Sequence, residues 1–125
     1  MGYAEEYRDA LADPVTFWSE RGRDLPWFER PSKVLEQDTN GVWRWFVDGQ
    51  INSCHVALDQ HVEAGRGEAT ALIYDSPVTQ TMQKFTFSEL TDRVAKLAGA
   101  MANLGVSKGD VVVLYMPMIP EAVIG

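Results

Sequence analysis

Thr86-Phe87-Ser88-Glu89-Leu90-Thr91-Asp92-Arg93-Val94-Ala95-Lys96-Leu97-Ala98-Gly99-Ala100-Met101-Ala102-Asn103-Leu104-Gly105 decides the fold. Thr86 and Glu89 have capping-box spacing, in which each side chain satisfies a free backbone N–H at a helix start. Leu90, Val94, Leu97, Met101 and Leu104 recur at intervals of four and three, which puts one apolar stripe on a helix. Gly105 follows at the position that favours a left-handed residue after a helix. Upstream, residues 69–74 read as an apolar strand, 75–79 as a turn and 81–85 as a second strand. Downstream, Lys108-Gly109-Asp110 reads as a tight turn. Residues 111–115 form a nearly continuous apolar run, expected as a strand covered on both faces. Strand, strand, helix, strand is a β-hairpin leading into a right-handed crossover, an α/β organisation. Pro117 and Pro120 then break the chain, and a new apolar helix begins at Pro120. A helix started so near the last residue reads as the front piece of a longer protein.

The N-terminal half is of another kind. Residues 3–12 read as an acidic helix with Tyr3, Tyr7, Ala10 and Leu11 on one side. Asp13-Pro14 reads as an N-cap followed by proline in the first turn of a helix that ends at Gly22. Residues 23–32, with Pro26 and Pro31, are expected to be irregular and pinned by Trp27 and Phe28. Residues 33–38 and 42–47 flank Thr39-Asn40-Gly41 and predict a hairpin. Trp43, Trp45 and Val47 would share one strand face and Arg44 and Phe46 the other, which predicts burial on both sides. Asn52 or Ser53 caps a predicted helix to about His61, with Cys54, Leu58, His61 and Val62 inward.

A chain of 125 residues with 46% hydrophobic residues suits one domain with a real core. Its formal charge of −7, from 18 acidic and 11 basic residues, argues against nucleic acid as a partner. No apolar run is long enough to span a membrane. The acidic start lacks the basic and apolar regions of a signal peptide, and Glu6 stands where a myristoylation motif wants Ser or Thr. A single cysteine excludes an internal disulfide and fits a reducing compartment, which predicts a cytoplasmic protein.

The residues by themselves give no catalytic constellation. Cys54 and His61 are seven apart and share a helical face, but Cys54 and His55 diverge, and two ligands are too few for a closed zinc site. Packing is the better reading of all three residues, and nothing suggests the activated thiol a Cys-His nucleophile needs. Gly65-Arg66-Gly67 lacks the longer glycine pattern and the lysine of a phosphate loop and reads as a surface turn. The four tryptophans read as core. Glu5, Glu6, Asp9 and Asp13 read as a solvated acidic face.

Several stretches nevertheless carry a resemblance. Asp13-Pro14-Val15-Thr16-Phe17-Trp18 resembles an Asp-Pro-x-x-Phe-Trp entry, and Trp45-Phe46-Val47-Asp48-Gly49-Gln50-Ile51-Asn52 resembles a Trp-Phe-x-Gly-Gly-x-Leu-Asn element. The run from Ile51 to His61 follows in register with a Leu-Asn…Leu-Asp-Arg-His helix. Phe85-Thr86-Phe87-Ser88-Glu89-Leu90 resembles a Thr-Tyr-x-Glu-Leu helix entry. The most specific matches are Leu104-Gly105-Val106-x-x-Gly109-Asp110 and Tyr115-Met116-Pro117-Met118-Ile119-Pro120-Glu121-Ala122. Together they are similar to the N-terminal region of the AMP-forming acyl-CoA synthetases of short-chain acids. The Cys54-His55 pair is more like the propionate–CoA ligases of that family than its acetate enzymes. Asp48, Val56 and Gln60 depart from the family's usual Gly, Asn and Arg.

The resemblance implies an N-terminal helical cap with β-hairpins over residues 1–66. Residues 67–125 would open the large AMP-binding domain with its first strand-strand-helix-strand unit. It implies a longer parent that uses ATP, coenzyme A and Mg²⁺ to activate a small carboxylate, propionate or else acetate. The family's ATP loop, catalytic lysine and coenzyme A arginines have no counterpart in these residues. No catalytic, cofactor or metal residue is therefore carried over, and the piece is expected to be inactive and to bind no cofactor alone. Residues 118–124, cut from their surroundings, are expected to promote self-association through exposed apolar surface. Two other readings remain open: a stand-alone interaction module of this fold, and a small domain that binds a nucleotide without catalysis.

Overall fold

A computed structural model describes residues 2–125. They divide into two compact units, one running up to Ser53 and one from Cys54 to Gly125.

The first unit opens with α1 (Tyr3–Ala12) and α2 (Pro14–Arg23). The Glu5 carboxylate accepts from the Gly2 N–H at 3.1 Å, a favourable negative charge at a helix N-terminus. Asp13 ends α1 and caps α2, its Oδ1 accepting from the Thr16 N–H at 3.0 Å, with Pro14 in the first turn as expected. α2 runs one residue past Gly22. Arg21 pairs with Glu6 at 2.9 Å and ties the two helices, so the acidic face of α1 is not merely solvated.

The irregular stretch after α2 is held in two ways. The Trp27 indole N–H donates to the Gly22 carbonyl at 2.7 Å, as a pin should. Phe28 is 63% exposed, and its backbone holds here, the Phe28 N–H donating to the Gln50 carbonyl at 2.8 Å. The hairpin is present but shorter than expected, with β1 (Leu35–Gln37) antiparallel to β2 (Trp43–Trp45) and Leu35 opposite Trp45. Asp38 organises the turn, its Oδ1 accepting from the Asn40 and Val42 N–H groups at 2.9 and 3.0 Å. Phe46, at φ +48°, takes the chain out of the strand.

Two-sided burial of this ribbon is not found. Trp43 is 60% exposed and Trp45 and Trp18 are also exposed, so only Trp27 approaches the core role expected of all four tryptophans. A two-stranded ribbon in a unit of this size lacks a second layer to cover both faces.

The second unit begins with two wide, π-type helical turns, His55–Asp59 and Val62–Arg66. The helix therefore runs past His61 and takes in part of the predicted Gly65-Arg66-Gly67 loop, ending where Gly65 adopts φ +75°. Widened turns shift the side-chain period. Leu58, His61 and Val62 come out half-buried as expected, but Cys54 is exposed. These turns pack on the long helix of the second unit and belong with it, the compact units dividing between Ser53 and Cys54.

β3 (Thr70–Ser76) pairs antiparallel with β4 (Thr81–Thr86), Tyr74 opposite Gln83 and Leu72 opposite Phe85. α3 (Phe87–Asn103) follows directly. Its capping box is complete: the Thr86 N–H donates to Glu89 Oε2 at 2.9 Å, and the Glu89 N–H to Thr86 Oγ1 at 3.2 Å. Leu90 and Phe85 form the buried core of this unit, and the Arg93 guanidinium lies 4.6 Å from the Phe85 ring centre. Val94, Leu97 and Met101 continue the stripe half-buried, while Leu104 at its end is exposed. Gly105, at φ +90°, closes the helix, its N–H donating to the Ala102 carbonyl and the Val106 N–H to that of Met101, a Schellman pair.

The strand predicted at 111–115 does not form. Residues 111–115 join no ladder, the β3–β4 sheet has two strands, and Tyr115 is fully exposed. No right-handed crossover is therefore completed within the described residues. A buried strand needs neighbours on both edges and layers on both faces, and the described residues supply neither. α4 (Pro120–Ile124) starts at Pro120 as expected and packs on α3. Mixed helices with small antiparallel sheets, a helical cap followed by a strand-strand-helix unit, are thus the architecture.

Candidate functional site

In the second unit, Cys54, His55 and His61 do not converge on a metal. Among the described residues there is no group of three or more His, Cys, Asp and Glu able to hold one. His61 packs edge-on against Phe87, ring centres 4.5 Å apart, and its Nδ1 is engaged by the Arg66 guanidinium. That contact turns the Arg66 guanidinium toward His61. The Gly67 carbonyl accepts from the Ser88 N–H at 3.0 Å, and a Cβ on Gly67 would lie 2.5 Å from Ser88 Oγ. The Gly-Arg-Gly segment is therefore packed against the start of α3 and presents no open nest to a phosphate. Lys108-Gly109-Asp110 is the tight turn expected, with Gly109 at φ +101° and Asp110 Oδ2 accepting from the Ser107 N–H at 2.7 Å. Cys54 stands at the margin of an apolar groove of about 270 Å³, lined by Leu58, Leu90, Val94, Val123 and Ile124.

A second concavity lies in the first unit. It is a cleft of about 170 Å³ whose walls include Gly22, Trp27, Pro31 and Phe46, with Arg23 and Arg30 among its lining residues. The Trp27 and Phe46 rings are tilted at 47° with centres 5.3 Å apart. Two glycines permit this approach: a Cβ on Gly22 would meet the Phe46 ring at 3.1 Å, and one on Gly49 the Trp27 ring at 2.9 Å. Phe46 holds a positive φ, uncommon for a bulky residue. Arg30 donates through Nη1 to the Arg23 carbonyl at 2.8 Å, and neither guanidinium is ion-paired among the described residues.

The carboxylates with lowered pKa values serve structure. Asp13 is held below its ordinary range by the Thr16 backbone N–H and hydroxyl, and Asp38 by the Val42 and Asn40 N–H groups and Arg44. The Ser32 hydroxyl and N–H do the same for Asp48. None of the three lines the cleft. Sequence reading passed over Arg23 and Arg30. The available signal was two arginines seven apart flanking Pro26-Trp27, but their convergence depends on the fold of the intervening loop.

Two family models match consecutive parts of the chain: "Acetyl-coenzyme A synthetase N-terminus" over residues 3–57 and "AMP-binding enzyme" over residues 58–125. An uncharacterized protein of Pseudomonas aeruginosa is 50% identical over 122 residues, 98% of this chain and 19% of that protein. The human protein named acyl-CoA synthetase short-chain family member 3, mitochondrial, is 43% identical over 96% of this chain and 18% of its own length. Among solved structures, an acetoacetyl-CoA synthetase from Streptomyces lividans superposes with a TM-score of 0.81 at 31% identity, covering 99% of this chain and 19% of that one. The chain thus spans about a fifth of the length of the proteins it matches.

Proposed function

This chain belongs to the AMP-binding enzyme family and corresponds to the N-terminal portion of an AMP-forming acyl-CoA synthetase; on that premise we propose that its parent activates a short-chain carboxylate. The carboxylate oxygen attacks the α-phosphorus of ATP, forming acyl-AMP and expelling pyrophosphate. The coenzyme A thiol then attacks the acyl carbonyl, forms the thioester and releases AMP. The observation that carries this reading is the head-to-tail match of the two family models across residues 3–125.

Propionate is the acid we put first, on the Cys54-His55 resemblance. Acetate has at least equal support, since the first family model is named for acetyl-coenzyme A synthetase. ATP, Mg²⁺ and coenzyme A are assigned to chain outside these residues, as are the catalytic groups. Residues 1–66 are then the cap and 67–125 the opening of the large domain, with the wide turns at 55–66 as the part of the cap that seats on α3. No described helix is long and apolar enough to cross a membrane, and we place the parent in the cytoplasm.

The test is thioester formation by the full-length parent with ATP, Mg²⁺ and coenzyme A, comparing acetate, propionate, butyrate and acetoacetate. Propionate should give the highest kcat/KM. A higher value for acetate would replace the propionate reading, and absence of AMP and thioester with every acid would end the synthetase reading.

A further inference from the structure

We propose that the cleft of the first unit, between the end of α2 and the Phe46 turn, is a binding site for a terminal phosphate group, outside the reaction described above. Two arginines line one small concavity in a chain whose net charge is −7. Arg21 and Arg44 are ion-paired with carboxylates, while Arg8, Arg66 and Arg93 are engaged elsewhere, by the Ala4 carbonyl, the His61 ring and the Phe85 ring. Arg23 and Arg30 have no ion pair among the described residues and share the cleft. Glu20, Asp24 and Glu29, their acidic neighbours in sequence, are absent from the cleft lining.

The end of a helix is normally hostile to an anion, because its free carbonyls carry the negative end of the dipole. Here Arg30 donates to the Arg23 carbonyl at 2.8 Å. That bond covers one of those carbonyls and fixes the Arg30 guanidinium at the cleft, with its other N–H groups left for a ligand. Arginine's planar fork suits the paired oxygens of a phosphate.

The floor is aromatic and rigid. The Trp27 indole N–H is spent on the Gly22 carbonyl, so the ring offers a surface and no donor. Gly22 and Gly49 let the Phe46 and Trp27 rings close in, and Phe46 keeps a positive φ to reach its place. Strain of this kind persists where the surroundings over-determine it, and it points to function. The volume, about 170 Å³, is small beside drug-sized pockets of roughly 300–1,000 Å³. The cleft therefore takes the phosphate end of a ligand, with any attached base or chain lying outward. Free inorganic phosphate and a nucleotide phosphate share this chemistry.

The experiment is a titration of the ¹⁵N-labelled chain with inorganic phosphate, AMP and adenosine, followed by the indole N–H signals. The Trp27 signal should move with phosphate and AMP while that of Trp43 stays, and adenosine should move neither. Arg23→Gln and Arg30→Gln should each weaken the response about tenfold or more, the order expected for losing a charge-assisted hydrogen bond. Arg8→Gln, on α1 away from the cleft lining, should leave it unchanged. AMP binding more tightly than phosphate assigns the site to a nucleotide, and equal affinity assigns it to free phosphate. Adenosine matching AMP, no movement of Trp27 up to tens of millimolar ligand, or arginine variants that bind as the parent does would each overturn the proposal. Because the readout is binding at Trp27, it fails or succeeds independently of any synthetase activity.

Discussion

At the residue scale, the first unit is built by residues that sequence reading treats as punctuation. Gly49 enters the sequence reading only as one residue of the Trp45–Asn52 element, yet a Cβ there would lie 2.9 Å from the Trp27 ring and 3.2 Å from Pro31. Gly49→Ala should destabilise the first unit by about 1–3 kcal/mol, the usual cost of overpacking. All four tryptophans, Trp18, Trp27, Trp43 and Trp45, lie in this unit, so urea unfolding followed by tryptophan fluorescence reads it directly. An unchanged midpoint would show that the ring can give way. Asp13, Asp38 and Asp48 all sit below their ordinary value of 3.8 because the folded chain donates hydrogen bonds to their charged forms. A depressed carboxylate contributes stability that is present above its unfolded pKa and lost as pH falls through its folded pKa. The fluorescence-detected stability of the first unit should therefore be flat above about pH 5 and fall below the ordinary carboxylate range. Loss centred near pH 6 would contradict that assignment. The Asp13 cap was legible because an Asx-Pro helix start is decided by adjacent residues. Arg23 and Arg30 were not, because their meeting depends on how residues 24–29 fold.

At the element scale, α3 was the most readable part of the chain. Its start, stripe and stop depend on residues within one turn of each other, and all came out as the sequence implied except Leu104, which ends the stripe exposed. Thr86→Ala should cost about 1 kcal/mol, since it removes the hydroxyl that accepts from the Glu89 N–H. Glu89→Gln keeps an acceptor for the Thr86 N–H and should cost less. Far-UV circular dichroism through a urea titration measures both, and equal losses would argue that charge near the helix N-terminus matters more than the box. The wide turns at 55–66 were misjudged for a different reason. Helical periodicity predicts which face is buried only while the turn has 3.6 residues, and widening it put Cys54 at the surface. The β1–β2 ribbon kept its turn and register but not its predicted length, because Phe46 leaves the extended region.

At the scale of the whole molecule, the decisive feature is the long exposed apolar run before α4. Val111, Val113, Tyr115 and Met118 are all more than four-fifths exposed. By contrast Pro120 is buried and Ile119, Ala122 and Ile124 are half-buried. The surface expected of residues 118–124 thus belongs mainly to 111–118. A patch of this kind favours association, and self-association of the chain is our proposal for it. Light scattering should show concentration-dependent growth for the chain, and Val111→Lys with Val113→Lys should reduce it. A version ending at Met116 should keep most of the effect. Monomers in all three would remove the proposal. What the sequence determined by itself was set by near neighbours: the Asp13 and Thr86 caps, the Gly105 stop, the Asn-Gly turn, most of the α3 stripe, and the motifs that mark the family. Tertiary structure alone decided whether residues 111–115 become a strand, whether the tryptophans are covered, and where two arginines meet. A strand and a core need partners from distant chain, and hydrophobic pattern records the demand for burial without recording whether a partner is there to meet it.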